Sequence, residues 1–185
     1  MRTYHVLGSR FGQVSALKGL AEIAAVTGRS KEAREDYQTV LPMCREIGAR
    51  SMEADTLLGL GRLAMGEGRF REAFGPLNEA LLISREVGAL PIQSKALYCL
   101  GEAERFTNRS LEAAELYREA LAIQVQVGDR HSEAHTTKAL GELARRREDF
   151  NEADRLFKDA LNIYRKVVRQ KNLWVSGGSG SLPSE

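Results

Sequence analysis

Disulfides, membrane spans and a secretion leader are what this chain most plainly lacks. Its two cysteines, Cys44 and Cys99, are too few and too far apart in sequence for a disulfide framework or a zinc site. No apolar run approaches the roughly 18 residues of a transmembrane helix, and no charged, apolar and small segment opens the sequence. A reducing cytoplasm is therefore the expected location, with no membrane partner. Aromatic residues are sparse, with one Trp, five Tyr and six Phe, and charge is balanced, 27 Lys+Arg against 25 Asp+Glu leaving +2. That balance disfavours a nucleic-acid partner, which needs concentrated basic charge interleaved with stacking aromatics. Alternation of period two over strand length is also missing, so a sheet has no support.

What is present is a 40-residue period. Gly8, Gly48, Gly88 and Gly128 share one column, Leu20, Leu60, Leu100 and Leu140 a second, and Ala33, Ala73, Ala113 and Ala153 a third. Leu41, Leu81, Leu121, Leu161 and Glu32, Glu72, Glu112, Glu152 add two more. The blocks run 11–50, 51–90, 91–130 and 131–170, with 1–10 read as the end of a preceding repeat and 171–185 as a flexible tail, Gly/Ser-rich from Ser176. Leu173-Trp174-Val175 is expected to fold over the last repeat. On this reading the chain is a segment of a longer array, or one whose uncapped ends invite self-association.

Within a block, Leu57, Leu60, Gly61 and Ala64 and then Ala73, Leu77, Ala80 and Leu81 follow helical spacing, so each block predicts two amphipathic helices. The corners fall near Gly28, Gly68, Asn108 and Glu148 inside blocks and near Gly48, Gly88 and Gly128 between them, with Ser30 and Ser110 placed to cap the next helix. Gly61, Gly101 and Gly141 sit inside first helices at about 1 kcal/mol each in helix propensity, which implies close packing of paired helices against the small Ala33 column. Pro42 and Pro76 fall inside second helices, where a bend is expected.

The pattern Leu57, Leu60-Gly61, Ala64, Gly68, Ala73, Leu77, Ala80-Leu81, repeated as Leu97, Leu100-Gly101, Ala113, Tyr117, Ala120-Leu121 and as Leu140-Gly141, Ala144, Ala153, Phe157, Ala160-Leu161, resembles the tetratricopeptide repeat. The resemblance implies an all-α, right-handed α-α superhelix of about four helix-turn-helix repeats. The 40-residue length is similar to arrays in kinesin light chains, polarity adaptors and STAND-type signalling ATPases. Phrases such as Gly128-Asp129-Arg130-His131-Ser132-Glu133-Ala134 most resemble the last group.

Catalytic signatures are missing. No Gly-x-x-x-x-Gly-Lys-Ser/Thr loop and no Gly-x-Ser-x-Gly elbow occurs, so no catalytic residue, enzyme activity or cofactor is assigned. His131 and His135, spaced i, i+4, lack a third ligand, and no metal is assigned. Cys44 and Cys99 read as small apolar fillers. Arg145-Arg146-Arg147 reads as a solvated helix end favoured by the C-terminal dipole.

Function is then expected on the groove side of the first helices. Counted from the Leu-Gly column, that side carries Lys18 and Glu22, then Asp55, Leu58 and Arg62, then Lys95, Tyr98, Glu102 and Arg105, and lastly His135, Lys138, Glu142 and Arg145. Mixed charge with one aromatic suits a peptide or a partner domain of alternating charge. The carboxylate clamp of chaperone-tail receptors is absent, because the columns it needs hold Glu22, Arg62, Glu102 and Glu142, and Gly19, Gly59, Cys99 and Ala139. The expected function is a non-catalytic interaction scaffold. The alternatives are a sensor or oligomerisation segment of a larger STAND-type ATPase and, third, a nucleic-acid-binding repeat protein.

Overall fold

A computed structural model describes the backbone of residues 2–177 and the side chains of residues 9–169. Among the described residues there are eight α-helices and no strand. These are α1 (Arg2–Val26), α2 (Ser30–Glu46), α3 (Arg50–Gly66), α4 (Phe70–Glu86), α5 (Leu90–Phe106), α6 (Ser110–Val127), α7 (Arg130–Arg146) and α8 (Phe150–Gly177). Helices α3, α5 and α7 each begin one residue before the blocks that start at 51, 91 and 131, whereas α1 begins at Arg2 and α8 runs to Gly177.

All seven helix corners are closed by one device, repeated every 20 residues. Gly28, Gly48, Gly68, Gly88 and Gly128 take φ between +68° and +79°, Asn108 +65° and Glu148 +62°. The amide after each left-handed residue reaches back to a carbonyl five residues earlier, Arg29 to Ala24 at 2.9 Å and Asp149 to Ala144 at 3.0 Å being the first and last. This is the Schellman closure, and glycine suits it because no Cβ opposes the positive φ. Glu148 holds the conformation with a Cβ, at about 1 kcal/mol of strain. Glu148→Gly should therefore raise stability by about 0.5 kcal/mol, after the added freedom of the unfolded chain offsets part of the relief. A urea midpoint that falls for this variant would contradict that assignment.

Several expectations are corrected. Gly8 lies inside α1, which runs unbroken from Arg2, so no corner marks the end of a preceding repeat there. Residues 171–177 continue α8, helix and not flexible tail, while residues 178–185 lie outside the described residues. Leu173, Trp174 and Val175 belong to that helix, and their side chains are also outside the description. Ser30 is the first helical residue and does not cap α2; Arg29 stands at the cap position without a side-chain cap bond. Side-chain caps form at Asp129, which accepts from the Ser132 amide at 3.0 Å, and at Asp149, which accepts from the Glu152 amide at 3.2 Å. Pro42 and Pro76 are contained within α2 and α4, both of which continue past them.

The chain divides into two compact units, 1–120 and 121–185. In the first, α1 pairs with α2 and α3 with α4, α2 and α4 each pack onto the following first helix, and α3 also touches both α1 and α5. The first helices thus form an inner layer, and the core lies between it and the second helices. In the second unit, α7 packs along α8. The helical glycines are seats for large side chains. A Cβ on Gly61 would lie 2.5 Å from Leu77 Cδ2, one on Gly101 2.6 Å from Tyr117 Cε1, and one on Gly141 3.1 Å from Phe157 Cε1. The nearest partner of the glycine column is therefore the Leu77, Tyr117 and Phe157 column, with the Ala113 carbonyl oxygen also 3.3 Å from a Gly101 Cβ.

Candidate partner-binding site

The inner layer of the first unit carries an open concavity of about 570 Å³ between α1, α2 and α3. Glu22, Asp55 and Arg62 stand on its walls, and Tyr37, Leu58 and Gly59 contribute to its floor. The Tyr37 ring fills the space a Cβ on Gly59 would need, with Tyr37 Cζ 2.6 Å from that position. Leu58, expected to face a partner, is instead buried at 2% exposure. An inner helix flanked by neighbours on both sides hides a wider stripe than the single face from which Leu58 was placed.

Lys18 on α1 lies 2.6 Å from Glu22 and 2.5 Å from Asp55 on α3. Burial opposes its charge, but hydrogen bonds and attraction from Asp55 and Glu22 outweigh that and raise its pKa. Both acids of the concavity are thereby engaged by one internal lysine. Burial, followed by the Glu22 charge, also pushes the Tyr37 phenol up, so its hydroxyl remains neutral.

On α5, Arg105 donates from Nε and Nη2 to the Glu102 carboxylate at 3.1 and 2.6 Å, and the Tyr117 hydroxyl donates to the same carboxylate. The Arg105 guanidinium also lies 4.3 Å from the Phe106 ring centroid, and that ring stacks on Phe70 of α4 at 4.3 Å. Glu102 and Arg105 are thus internal braces, and only part of their surface faces solvent. Tyr98 is half-buried, with its ring 5.6 Å from that of Tyr117. Arg62 and Lys95 differ from all of these, being exposed with no carboxylate partner among the described residues. Arg62 lies on α3 and Lys95 on α5, two first helices that touch each other in the first unit. Burial pushes the Cys99 thiol up to about 11, so it is not a nucleophile at neutral pH. Burial raises Cys44 as well.

The remaining expected residues lie on α7 in the second unit. Glu142 and Arg145 pair at 2.9 Å, and Lys138 is exposed. The His135 ring lies 4.6 Å from His131 and meets the Tyr164 ring edge-on at 5.5 Å. Burial first, then the His131 and Lys138 charges, lower its pKa, leaving it neutral at physiological pH. No group of three or more potential ligands gathers around this pair or elsewhere among the described residues. No described helix is long and apolar enough to cross a membrane.

Sequence reasoning missed Tyr37 and Tyr117, which arrive from second helices. The available signal was the 16-residue offset that sets Tyr117 against Gly101 and Phe157 against Gly141.

Repeated helix pairs closed by identical corners, with a graded inner face and no gathered catalytic constellation among the described residues, define an all-α repeat scaffold. The tetratricopeptide-repeat profile matches residues 13–86 and 93–166, and the chain belongs to this family. Its fold is the TPR-like helical solenoid, and the repeats make it a protein-interaction scaffold. A search of curated protein sequences finds no match. Among solved structures, BtubC (BKLC) from P. vanneervenii superposes with a TM-score of 0.73 at 20% identity, covering 93% of this chain and 67% of that one. A Rap protein complexed with competence and sporulation factor gives 0.74 at 12% identity, over 82% of this chain and 43% of Rap. TPR-like repeats from Podospora anserina, described as a kinesin light chain, give 0.68 at 19% identity, over 83% and 76%. The chain spans less than half of the Rap chain, and likeness at these identities concerns the fold.

Proposed function

We propose that the chain is a non-catalytic, cytoplasmic scaffold that holds an acidic peptide segment against the inner layer of its first unit. The observation that carries this is the uneven commitment of charge. Lys18 engages Glu22 and Asp55, Arg105 engages Glu102, and Arg62 and Lys95 are left exposed without carboxylate partners among the described residues. A peptide of alternating charge would find its basic residues opposite carboxylates already satisfied, whereas acidic residues find the exposed cations Arg62 and Lys95. Electrostatic complementarity of this kind sets specificity and association rate. The Rap protein, similar to this chain in fold, is complexed with competence and sporulation factor, which supports reading the inner layer as a partner-binding surface.

Reversing both charges, Arg62→Glu with Lys95→Glu, should weaken binding of a fluorescein-labelled Glu-rich peptide by about tenfold or more, equivalent to about 1.4 kcal/mol. Both side chains are exposed, so helicity by circular dichroism should not change. A lysine-rich peptide of equal length should show no binding to the wild type. Equal affinity of wild type and variant for the Glu-rich peptide would end this reading.

A further inference from the structure

The internal repeat supplies its own control for which surfaces are meant to be covered. On α1, Gln13, Ala16, Leu20 and Ile23 are exposed, Leu20 at 58% and Ile23 at 52%. One repeat on, Glu53, Thr56 and Leu63 are buried and Leu60 is half-buried; two repeats on, Leu100 is at 2% and Ala96 and Ala103 are fully buried. What covers these positions within the first unit is the second helix of the preceding pair. Leu63 and Leu60 pack with Tyr37 of α2 in one cluster, and Cys44 of α2 lies beside Thr56 and packs with Met52 of α3.

The complementary face is uncovered on α8. Leu161 is 47% exposed where Leu81 is at 7%, and Val168 is also exposed. Phe157 is half-buried where Tyr37, Leu77 and Tyr117 are buried, and Tyr164 is half-buried where Cys44, Ser84 and Gln124 are buried. One face therefore has the residues of an acceptor and the other those of an insert, by the register the chain uses internally.

We infer that the α8 face of one copy docks on the α1 face of a second copy, as α2 docks on α3 within the chain. The register then sets Phe157 against Leu20 and Ile23, where Tyr37 meets Leu60 and Leu63. It sets the large Tyr164 against the small Ala16, where Cys44 meets Thr56. Arg165, which is exposed, comes opposite Gln13, where Arg45 donates to Glu53 at 2.7 Å. The contact is heterologous, since the two faces differ, so each added copy presents a fresh face of each kind and the assembly grows head to tail. The driving force is removal of apolar surface from water at both faces. The inference is independent of the inner-layer site, as none of these residues belongs to it.

Sedimentation equilibrium tests it on the full chain. Wild-type protein should show an average mass that rises steadily from micromolar to submillimolar concentration. Leu20→Glu with Ile23→Glu blocks the acceptor, and Leu161→Glu blocks the insert; each protein alone should stay monomeric. Mixed in equal amounts, they should form a dimer and nothing larger, because one intact face remains on each. All three substituted side chains are exposed, and unchanged circular dichroism confirms the fold. A wild type that is monomeric throughout, a mixture that does not dimerise, or a Leu161→Glu protein that still self-associates would each overturn the inference, the last by pointing to an α1–α1 contact.

Discussion

Replacing Tyr117 by alanine should destabilise the protein by about 3–5 kcal/mol, the range for truncating a fully buried aromatic. Tyr117 has no solvent exposure, its ring lies over Gly101, and its hydroxyl donates to the Glu102 carboxylate already held by Arg105. Burial first, and then the bond to Glu102, push the phenol pKa upward, so the hydroxyl stays protonated and the bond persists across the physiological range. Gly101→Ala probes the same seat from the other side. Its Cβ would stand 2.6 and 2.7 Å from the ring and 3.3 Å from the Ala113 carbonyl oxygen, so neither the ring nor the facing helix can yield freely. Overpacking of this kind costs about 1–3 kcal/mol, against about 1 kcal/mol regained in helix propensity. In a Tyr117→Ala background the collision is gone, and Gly101→Ala should become stabilising by about 1 kcal/mol. Gly19→Ala, with nothing within 4 Å of the added Cβ, should stabilise in the wild type. Urea unfolding of the Gly101/Tyr117 double-mutant cycle measures the coupling, and additive effects would refute the seat.

The same contact shows what sequence periodicity can reach. The 20-residue rhythm of corners, the pairing of helices and the cost of Gly61, Gly101 and Gly141 were legible because each depends on local conformation at a fixed register. Gly8 shared the column but formed no corner, since glycine permits a left-handed turn without enforcing one. Leu58 was misplaced because burial of an inner helix depends on neighbours on both sides, which a single helical wheel does not contain. The commitment of Glu22 and Asp55 to Lys18 joins α1 to α3, and that of Glu102 to Tyr117 joins α5 to α6. Which cations remain open is decided by such cross-helix pairs, and residue type alone is silent about them. The ion pairs between successive second helices were missed for the same reason: Arg45–Glu79 at 2.6 Å and Arg85–Glu119 at 2.5 Å recur with the repeat but link residues 34 apart in sequence.

Glu53 extends this argument to a charge that the fold hides. It is 1% exposed, yet its carboxylate accepts from Arg45 Nε at 2.7 Å and Arg50 Nη1 at 2.6 Å. Burial by itself would favour the protonated acid. The Arg45 and Arg50 hydrogen bonds and charges outweigh it and hold the carboxyl below its ordinary value of 4.5. Glu79 and Glu86 share the same two arginines, 2.6 Å from Arg45 and Arg50 respectively, and keep them oriented. Glu53→Gln should cost about 2 kcal/mol at neutral pH, the size of hydrogen bonds to a charged group. It should fall short of the 3–5 kcal/mol of a wholly buried ion pair, because the arginines are half-exposed and keep solvent and their second partners. Gln93 holds the same column on α5, so an amide fits the space and the loss is one of charge. A carboxyl depressed by folding contributes stability that is complete above its unfolded pKa and lost as pH falls through the folded value. Acidification below about pH 4.5 should therefore destabilise the wild type more than Glu53→Gln, and their unfolding midpoints should converge. Parallel pH profiles for the two proteins would show that the Glu53 charge contributes nothing to the fold.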